Sequence, residues 1–305
     1  MKPSTRFPRP SRASRRSGLV AALRPHQWTK NLIVFAGLIF GQKLLDPRAA
    51  SRAAAAFAIF CALSSVVYLL NDLADVEADR LHPLKKHRAI ASGAVAPALA
   101  ATTAAVLAGV GLTGAFLLGR YVGIVALGYL ALLALYSGPL KQLVIIDVLT
   151  IAGGFVLRAV AGAVAIPVPI SPWLLIDTIL LALFLGLAKR RHELVLLADE
   201  ASGHRRSLGD YSPYLLDQMI AVVSASTIVA YAFYTVNPDT IQRFGTNMLG
   251  LTLPFPLYGI FRYLYLVHRK EGGGSPADLL LTDQPLLICV VLWAAAVVAL
   301  IYGVP

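Results

Sequence analysis

The sequence predicts an all-α integral membrane protein, a nine-transmembrane-helix bundle, and three observations carry that prediction. Of 305 residues, 57% are hydrophobic and 14% charged, and the mean hydropathy is +0.70, which excludes a water-soluble enzyme. Runs such as Leu130 to Leu135 and Cys289 to Ile301 are apolar on every face, as helices surrounded by lipid must be. The alternating ten-residue segments that build an outer-membrane barrel do not occur.

Residues 1–17 are rich in Arg, Ser and Pro and poor in apolar side chains, which predicts a disordered basic cytosolic tail. No small-residue cleavage site follows, so a signal peptide is not expected. Residues 18–305 then read as one catalytic membrane domain. Apolar runs and their breakers place its spans at 27–45 (interrupted by Lys43), 53–71, 97–119, 121–137, 142–165, 171–188, 214–236, 248–267 and 285–303. Most of the 27 Lys and Arg residues fall on the tail and on the loops after spans two, four, six and eight. That bias puts the N-terminus in the cytoplasm and the C-terminus outside. The same loops, with His26 just ahead of span one, hold most acids and all six histidines, so the working face is expected to be cytoplasmic.

The formal charge of +11 would suggest nucleic acid in a soluble protein. Here the cations stand at the ends of spans, which favours membrane lipid head groups or an anionic substrate, and nucleic acid is not an expected partner. Cys61 and Cys289 lie inside apolar runs, where a thiol acts as a small hydrophobe. No pair of histidines has metal-ligand spacing on a shared helix, and no His or Cys nucleophile constellation is visible.

The strongest local signal is at the inner end of span two, Asn71-Asp72-Leu-Ala-Asp75-Val-Glu77-Ala-Asp79-Arg80. At about 100° per residue, Asn71, Asp72, Asp75 and Asp79 share an arc of about 100° if the helix continues, while Glu77 points away. Carboxylates crowded together repel unless a cation sits among them. An all-oxygen set at a membrane mouth suits Mg²⁺, which commonly bridges to substrate phosphates. The alternative is a solvated acidic helix end paired with Arg80, Lys85 and Lys86. In span five, Arg158 among Ala, Gly and Val costs ~2.5–3.5 kcal/mol to place in lipid. It therefore faces a cavity or pairs with an acid such as Asp147, roughly three turns earlier on the same side.

The acidic segment on span two resembles the first aspartate-rich motif of the UbiA superfamily of intramembrane prenyltransferases. That resemblance implies a UbiA-like bundle around a central cavity open to the cytoplasmic side, with Mg²⁺-bound diphosphate at its mouth and Asn71, Asp72, Asp75 and Asp79 as the metal-binding, catalytic set. Members that transfer prenyl groups carry a second aspartate pair after span six, and this chain departs there: it reads Lys189-Arg190-Arg191-His192-Glu193-Leu194, with a single acid. That sequence, with Arg205-x-Ser207-Leu208-x-x-Tyr211, is similar to one branch, the decaprenyl-phosphate phosphoribosyltransferases. So are Arg24-Pro-His-Gln-Trp-Thr-Lys30-Asn31, Tyr136-Ser-Gly-Pro-Leu-Lys141 and Gly154-Phe-Val-Leu-Arg158-Ala-Val-Ala-Gly162.

This branch implies transfer of 5-phosphoribose from phosphoribosyl pyrophosphate to a polyprenyl (decaprenyl) phosphate in a bacterial plasma membrane, which supplies an arabinosyl-donor precursor for a cell wall. The nucleophile, a lipid phosphate, is already ionised at neutral pH and needs no general base. Cations are needed on both sides because two anions must meet. Lys189 and Arg190 are expected on the donor, with Glu193 and Tyr136 beside them. Lys30 and Arg158 are expected on the lipid phosphate. Lys141 is expected to meet phosphate as well, and Lys86 and Arg88 follow the acidic helix and either close over the donor or only obey the inside-positive bias. A homo-oligomer is left open. Two other readings are a prenyltransferase moving a prenyl chain from a prenyl diphosphate to an aromatic or glycerol-phosphate acceptor, and a secondary transporter for a phosphorylated solute. The transporter reading requires polar groups reachable from both faces.

Overall fold

The computed structural model describes residues 12–82, 85–197, 209–269 and 276–303. All regular structure among them is helical: α1 (Arg12–Leu23), α2 (Ala36–Phe40), α3 (Pro47–Ala74), α4 (Val76–Leu81), α5 (Pro97–Leu118), α6 (Arg120–Ser137), α7 (Ile146–Ala165), α8 (Pro172–Leu197), α9 (Pro213–Val236), α10 (Pro238–Phe244), α11 (Pro254–Arg269), α12 (Pro276–Thr282) and α13 (Gln284–Tyr302). Short 3₁₀ segments cover Pro25–Phe35, Lys85–His87, Leu140–Gln142 and Met248–Thr252. The expected tail lies outside the described residues as far as residue 11, and α1 begins at Arg12. Arg205, Ser207 and Leu208 also lie outside them.

Among the described residues seven helices are long and apolar enough to cross a membrane, α3, α5, α6, α7, α8, α9 and α13, and they take the places of predicted spans two to seven and nine. The protein is a multi-pass membrane protein. Several of these helices start where a capping side chain meets an early proline, which satisfies amide groups the first turn leaves unpaired. Asp46 accepts from the amides of Arg48 and Ala49 ahead of α3, Ser212 from Leu215 ahead of α9, and Asp283 from Leu286 ahead of α13. Side chains such as Val106, Val110, Leu117, Ile124, Val222 and Val291 are exposed, as expected where the solvent is lipid.

The predicted first and eighth spans are not single α-helices. The first is a 3₁₀ run over Pro25–Phe35 followed by the one-turn helix α2, and the eighth is the 3₁₀ segment Met248–Thr252 followed by α11. Close packing accompanies the first departure. A Cβ on Gly162 of α7 would stand 2.0 Å from the Val34 carbonyl oxygen, and one on Gly37 would stand 3.2 Å from the Ala163 Cα. Backbone thus lies directly on backbone, as small residues allow between membrane helices. Asn31, one turn before Val34, is thereby brought beside Arg158, one turn before Gly162.

Helix α7 is the spine between two cores. On one side Ala161 and Ala165 pack with Phe60 and Leu63 of α3 and Tyr129 of α6. On the other, Val148 packs with Phe184 and Leu187 of α8, Leu216 of α9 and Ile260 of α11. The end of the bundle where α3, α6 and α8 finish and α7 and α9 begin gathers the acidic segment and the basic end of α8.

Candidate active site

The acidic segment is not one continuous helix. Helix α3 stops at Ala74, Asp75 leaves helical geometry (φ −99°, ψ 7°), and α4 resumes at Val76. The hydrogen-bond ladder nearly survives the break, since Asp75 N–H donates to the Asn71 carbonyl and Asp79 N–H to the Asp75 carbonyl. The break nevertheless sends the carboxylates to different partners. Asp72 and Asp79, both buried, converge: one nitrogen of Arg88 lies 3.2 Å from an Asp72 oxygen and 2.7 Å from an Asp79 oxygen. Asp72 also accepts from Arg24 at 2.6 Å. Asp75 instead holds Lys141 at 2.5 Å, and Glu77 pairs outside with Arg80, as its direction on the helix predicts. Asn71 stands on the last turn of α3, partly buried.

Among the described residues no three acids, histidines or cysteines close around one point. The expected four-residue convergence is therefore reduced to Asp72 and Asp79, with Asp75 turned aside toward Lys141. Those two carboxylates fit a divalent cation. Their oxygens already share one nitrogen of the cationic Arg88 guanidinium, and an all-oxygen pair leaves a Mg²⁺ ion room for its waters and for phosphate oxygens.

Arg24 reaches this site through its backbone. It sits in the left-handed region (φ 51°, ψ 60°), uncommon for a residue with a Cβ, between α1 and the 3₁₀ segment. Its guanidinium lies 5.0 Å from the centre of the Tyr68 ring. Sequence reasoning quoted Arg24 in a motif but gave it no role. The signal available was an arginine immediately before Pro25, where a chain turn is expected.

The basic end of α8 is tied inward. Because α8 runs on to Leu197, Arg190 and Glu193 lie one turn apart. The Arg190 guanidinium, 3% exposed, donates to Asp147 (2.8 Å), to Glu193 (2.5 Å) and to the Tyr136 hydroxyl (3.1 Å). Asp147, fully buried, also accepts from Tyr211 at 2.9 Å. Burial pushes the Tyr211 hydroxyl up to about 12, so it stays protonated and donates to Asp147 while accepting from the Ile145 amide. Lys189 is more open and stands 3.7 Å from Glu193.

Arg158 does not pair with Asp147. Asp147 is taken by Arg190 and Tyr211, and Arg158 turns to the opposite core, donating to the Asn31 carboxamide oxygen at 2.8 Å and the Tyr129 hydroxyl at 2.7 Å. It also lies over the rings of Tyr129 and Phe155. Asn31 is held in turn by Ser64 and Cys61. The Tyr129 partnership was missed from sequence, although a hydroxyl at the middle of the span, away from Tyr121, Tyr136 and Ser137 at its ends, was its available sign. Lys30, next to Asn31, is partly buried.

Lys85 and Lys86 do not pair with the acidic segment as the solvated-helix alternative requires. Lys86 is exposed, whereas Lys85 is partly buried. Burial, then Arg88, lowers the Lys85 ammonium from its usual range, while Asp79, Glu193 and Asp75 act the other way. Its amine therefore lies within electrostatic reach of both the acidic segment and the end of α8.

The profile of the UbiA prenyltransferase family matches residues 31–282. The decaprenyl-phosphate phosphoribosyltransferase of Mycolicibacterium smegmatis is 33% identical over 299 residues, covering 94% of this chain and 93% of the relative. The protein of the same name from Mycobacterium tuberculosis is 33% identical over 289 residues, covering 92% and 93%. Among solved structures, a UbiA homolog from Archaeoglobus fulgidus bound to DMAPP and Mg²⁺ superposes with a TM-score of 0.72 at 18% identity, covering 94% of this chain and 99% of the other.

Proposed function

This chain belongs to the UbiA prenyltransferase family, and from that premise we propose that it transfers 5-phosphoribose from phosphoribosyl pyrophosphate to a polyprenyl phosphate, releasing diphosphate, at the cytoplasmic mouth of its bundle. The observation that carries the reading is the end of α8. Where a prenyltransferase needs a second carboxylate pair, this chain has Lys189 and Arg190 around the single acid Glu193. Arg190 is taken up by Asp147, Glu193 and Tyr136, so the expected donor contact at this end falls to the more open Lys189; a donor with a phosphate at each end gives that cation a partner, while a prenyl diphosphate, anionic at one end only, does not. The relatives' names support the same donor and acceptor.

The bond from the anomeric carbon to the diphosphate oxygen breaks as the lipid phosphate oxygen bonds to that carbon. Asp72 and Asp79, with Asn71 and Asp75 beside them, would hold Mg²⁺, which neutralises charge on the departing diphosphate. Arg88 and Arg24 already approach Asp72, and Lys141 approaches Asp75, so all three cations stand where diphosphate oxygens arrive. Arg158 is charged and buried between Asn31 and Tyr129 with aromatic rings rather than a carboxylate beside it, which suits it to the acceptor phosphate, with Lys30 nearby. Arg190 orients Glu193 and Tyr136, and Lys189 faces the mouth.

Nine crossings are part of this reading. The 11 residues of the first 3₁₀ run and the 5 of α2 reach about 30 Å end to end, the thickness of a bilayer core. The 3₁₀ segment Met248–Thr252 with α11 is longer still. The inside-positive bias supports a cytoplasmic mouth, and a bacterial plasma membrane and a role in cell-wall precursor supply belong to the same proposal. The test is diphosphate release by purified protein with Mg²⁺. Release is expected with phosphoribosyl pyrophosphate plus polyprenyl phosphate and not with a prenyl diphosphate plus an aromatic acid, and the reverse pattern overturns the proposal.

A further inference from the structure

We propose that Lys85 binds the phosphate monoester at the sugar end of the donor and so sets the preference for a phosphorylated sugar; this rests on the phosphoribosyl reading above. The cations around the mouth fall into two groups. Arg24 and Arg88 hold Asp72 and Asp79, and Lys141 holds Asp75, so these three gather where the diphosphate is placed. Arg190 is sequestered by Asp147, Glu193 and Tyr136, and Lys189 leans on Glu193. Lys85 differs from both groups: among the described residues its side chain makes no ion pair and no hydrogen bond, yet it is partly buried rather than solvated.

Its position agrees with the role. Lys85 opens the 3₁₀ turn Lys85–His87, whose next residue, Arg88, reaches back to Asp72 and Asp79. The His82 ring accepts from the Lys85 amide and holds the turn. The carboxylates of Asp79, Glu193 and Asp75 all act on the Lys85 amine, so it lies near both the acidic segment and the end of α8. With the diphosphate held on the Arg88 side of the turn, the second phosphate of a sugar bearing diphosphate at one carbon and phosphate at another meets Lys85. Lys86, the adjacent cation, is exposed and does not share this placement.

The test is calorimetric binding of two probes, ribose 5-phosphate and inorganic diphosphate with Mg²⁺, to detergent-purified wild-type protein, Lys85→Met and Lys85→Arg. Lys85→Met is expected to weaken ribose 5-phosphate by roughly tenfold or more, the worth of one charge-assisted hydrogen bond. Diphosphate affinity should stay within about twofold, and Lys85→Arg should recover most of the loss. Because Lys85 makes no ion pair among the described residues, all three proteins should melt alike. Unchanged binding of both probes, or a loss confined to diphosphate or equal for both, overturns the assignment. Wild-type protein that binds diphosphate but not ribose 5-phosphate overturns the phosphoribosyl reading itself, a result distinct from failure of Lys85 alone.

Discussion

Asp72→Asn is expected to lower the rate of phosphoribosyl transfer by roughly three orders of magnitude or more while leaving a folded protein. Asp72 is the acid on which the mouth converges: it is 3% exposed, it takes both Arg24 and Arg88, and with Asp79 it brackets one nitrogen of the Arg88 guanidinium. Asparagine keeps the volume and one accepting oxygen but removes the charge that, on the proposed reading, would hold a divalent cation. The arginines left behind are 22% and 26% exposed, so water takes up part of their lost partnership, and Arg88 retains Asp79. Glu77→Gln is the control, because Glu77 points outward to Arg80 and its removal should leave the rate within about twofold. The measurement is transfer rate per mole of monodisperse protein across a Mg²⁺ titration. An Asp72→Asn protein within threefold of wild type removes the metal assignment.

Arg190→Met should produce the largest loss of stability. Its side chain is 3% exposed and Asp147 is fully buried, so removing the guanidinium takes from a buried carboxylate the cation it is paired with. Breaking a buried pair from one side typically costs about 3–5 kcal/mol, most of it the desolvation of the charge left alone. Removing both charges avoids that, so Asp147→Asn combined with Arg190→Met should be more stable than Arg190→Met alone. Lys189→Met, at an open position 3.7 Å from its acid, should change the melting temperature little. Thermal unfolding in detergent separates the cases. If Arg190→Met melts with wild type, the clamp is not holding the end of α8.

Most of the bundle was legible because an apolar run bounded by proline or glycine has few alternatives. The predicted spans 97–119, 121–137 and 214–236 become Pro97–Leu118, Arg120–Ser137 and Pro213–Val236. Hydropathy fails where a helix carries charge. Helix α3 begins at Pro47 rather than 53, and Arg52, which hydropathy excludes, ties its start to the carbonyls of Leu118 and Ala165. Helix α8 continues past 188 to Leu197, because Lys, Arg and Glu are good helix formers even where they cannot enter lipid. That extension places Glu193 one turn beyond Arg190, which binds both Glu193 and Asp147.

Pairing between segments was harder to read. The spacing of Asp147 and Arg158 on one side of α7 made an ion pair reasonable, yet each finds its partner on another helix, since a buried side chain turns toward whatever core surrounds it. The acidic motif lies at the end of α3 and on α4, but its four-residue arc assumed an unbroken helix. The interruption at Asp75 gives that residue to Lys141 and leaves Asp72 with Asp79. Likewise, hydropathy could mark 27–45 as a span but could not foresee that its backbone would lie against Gly162 as a 3₁₀ run.

The central claim is the identity of the transferred group, and the most direct measurement is the fate of a ribose label. Purified protein is incubated with Mg²⁺, polyprenyl phosphate and phosphoribosyl pyrophosphate carrying isotope in the ribose ring, and the lipid extract is analysed by mass spectrometry. The account predicts a polyprenyl phosphate enlarged by one labelled phosphoribose, formed in step with diphosphate release and lost with Asp72→Asn. An unlabelled lipid fraction, alongside turnover of a prenyl diphosphate by the same preparation, would contradict it.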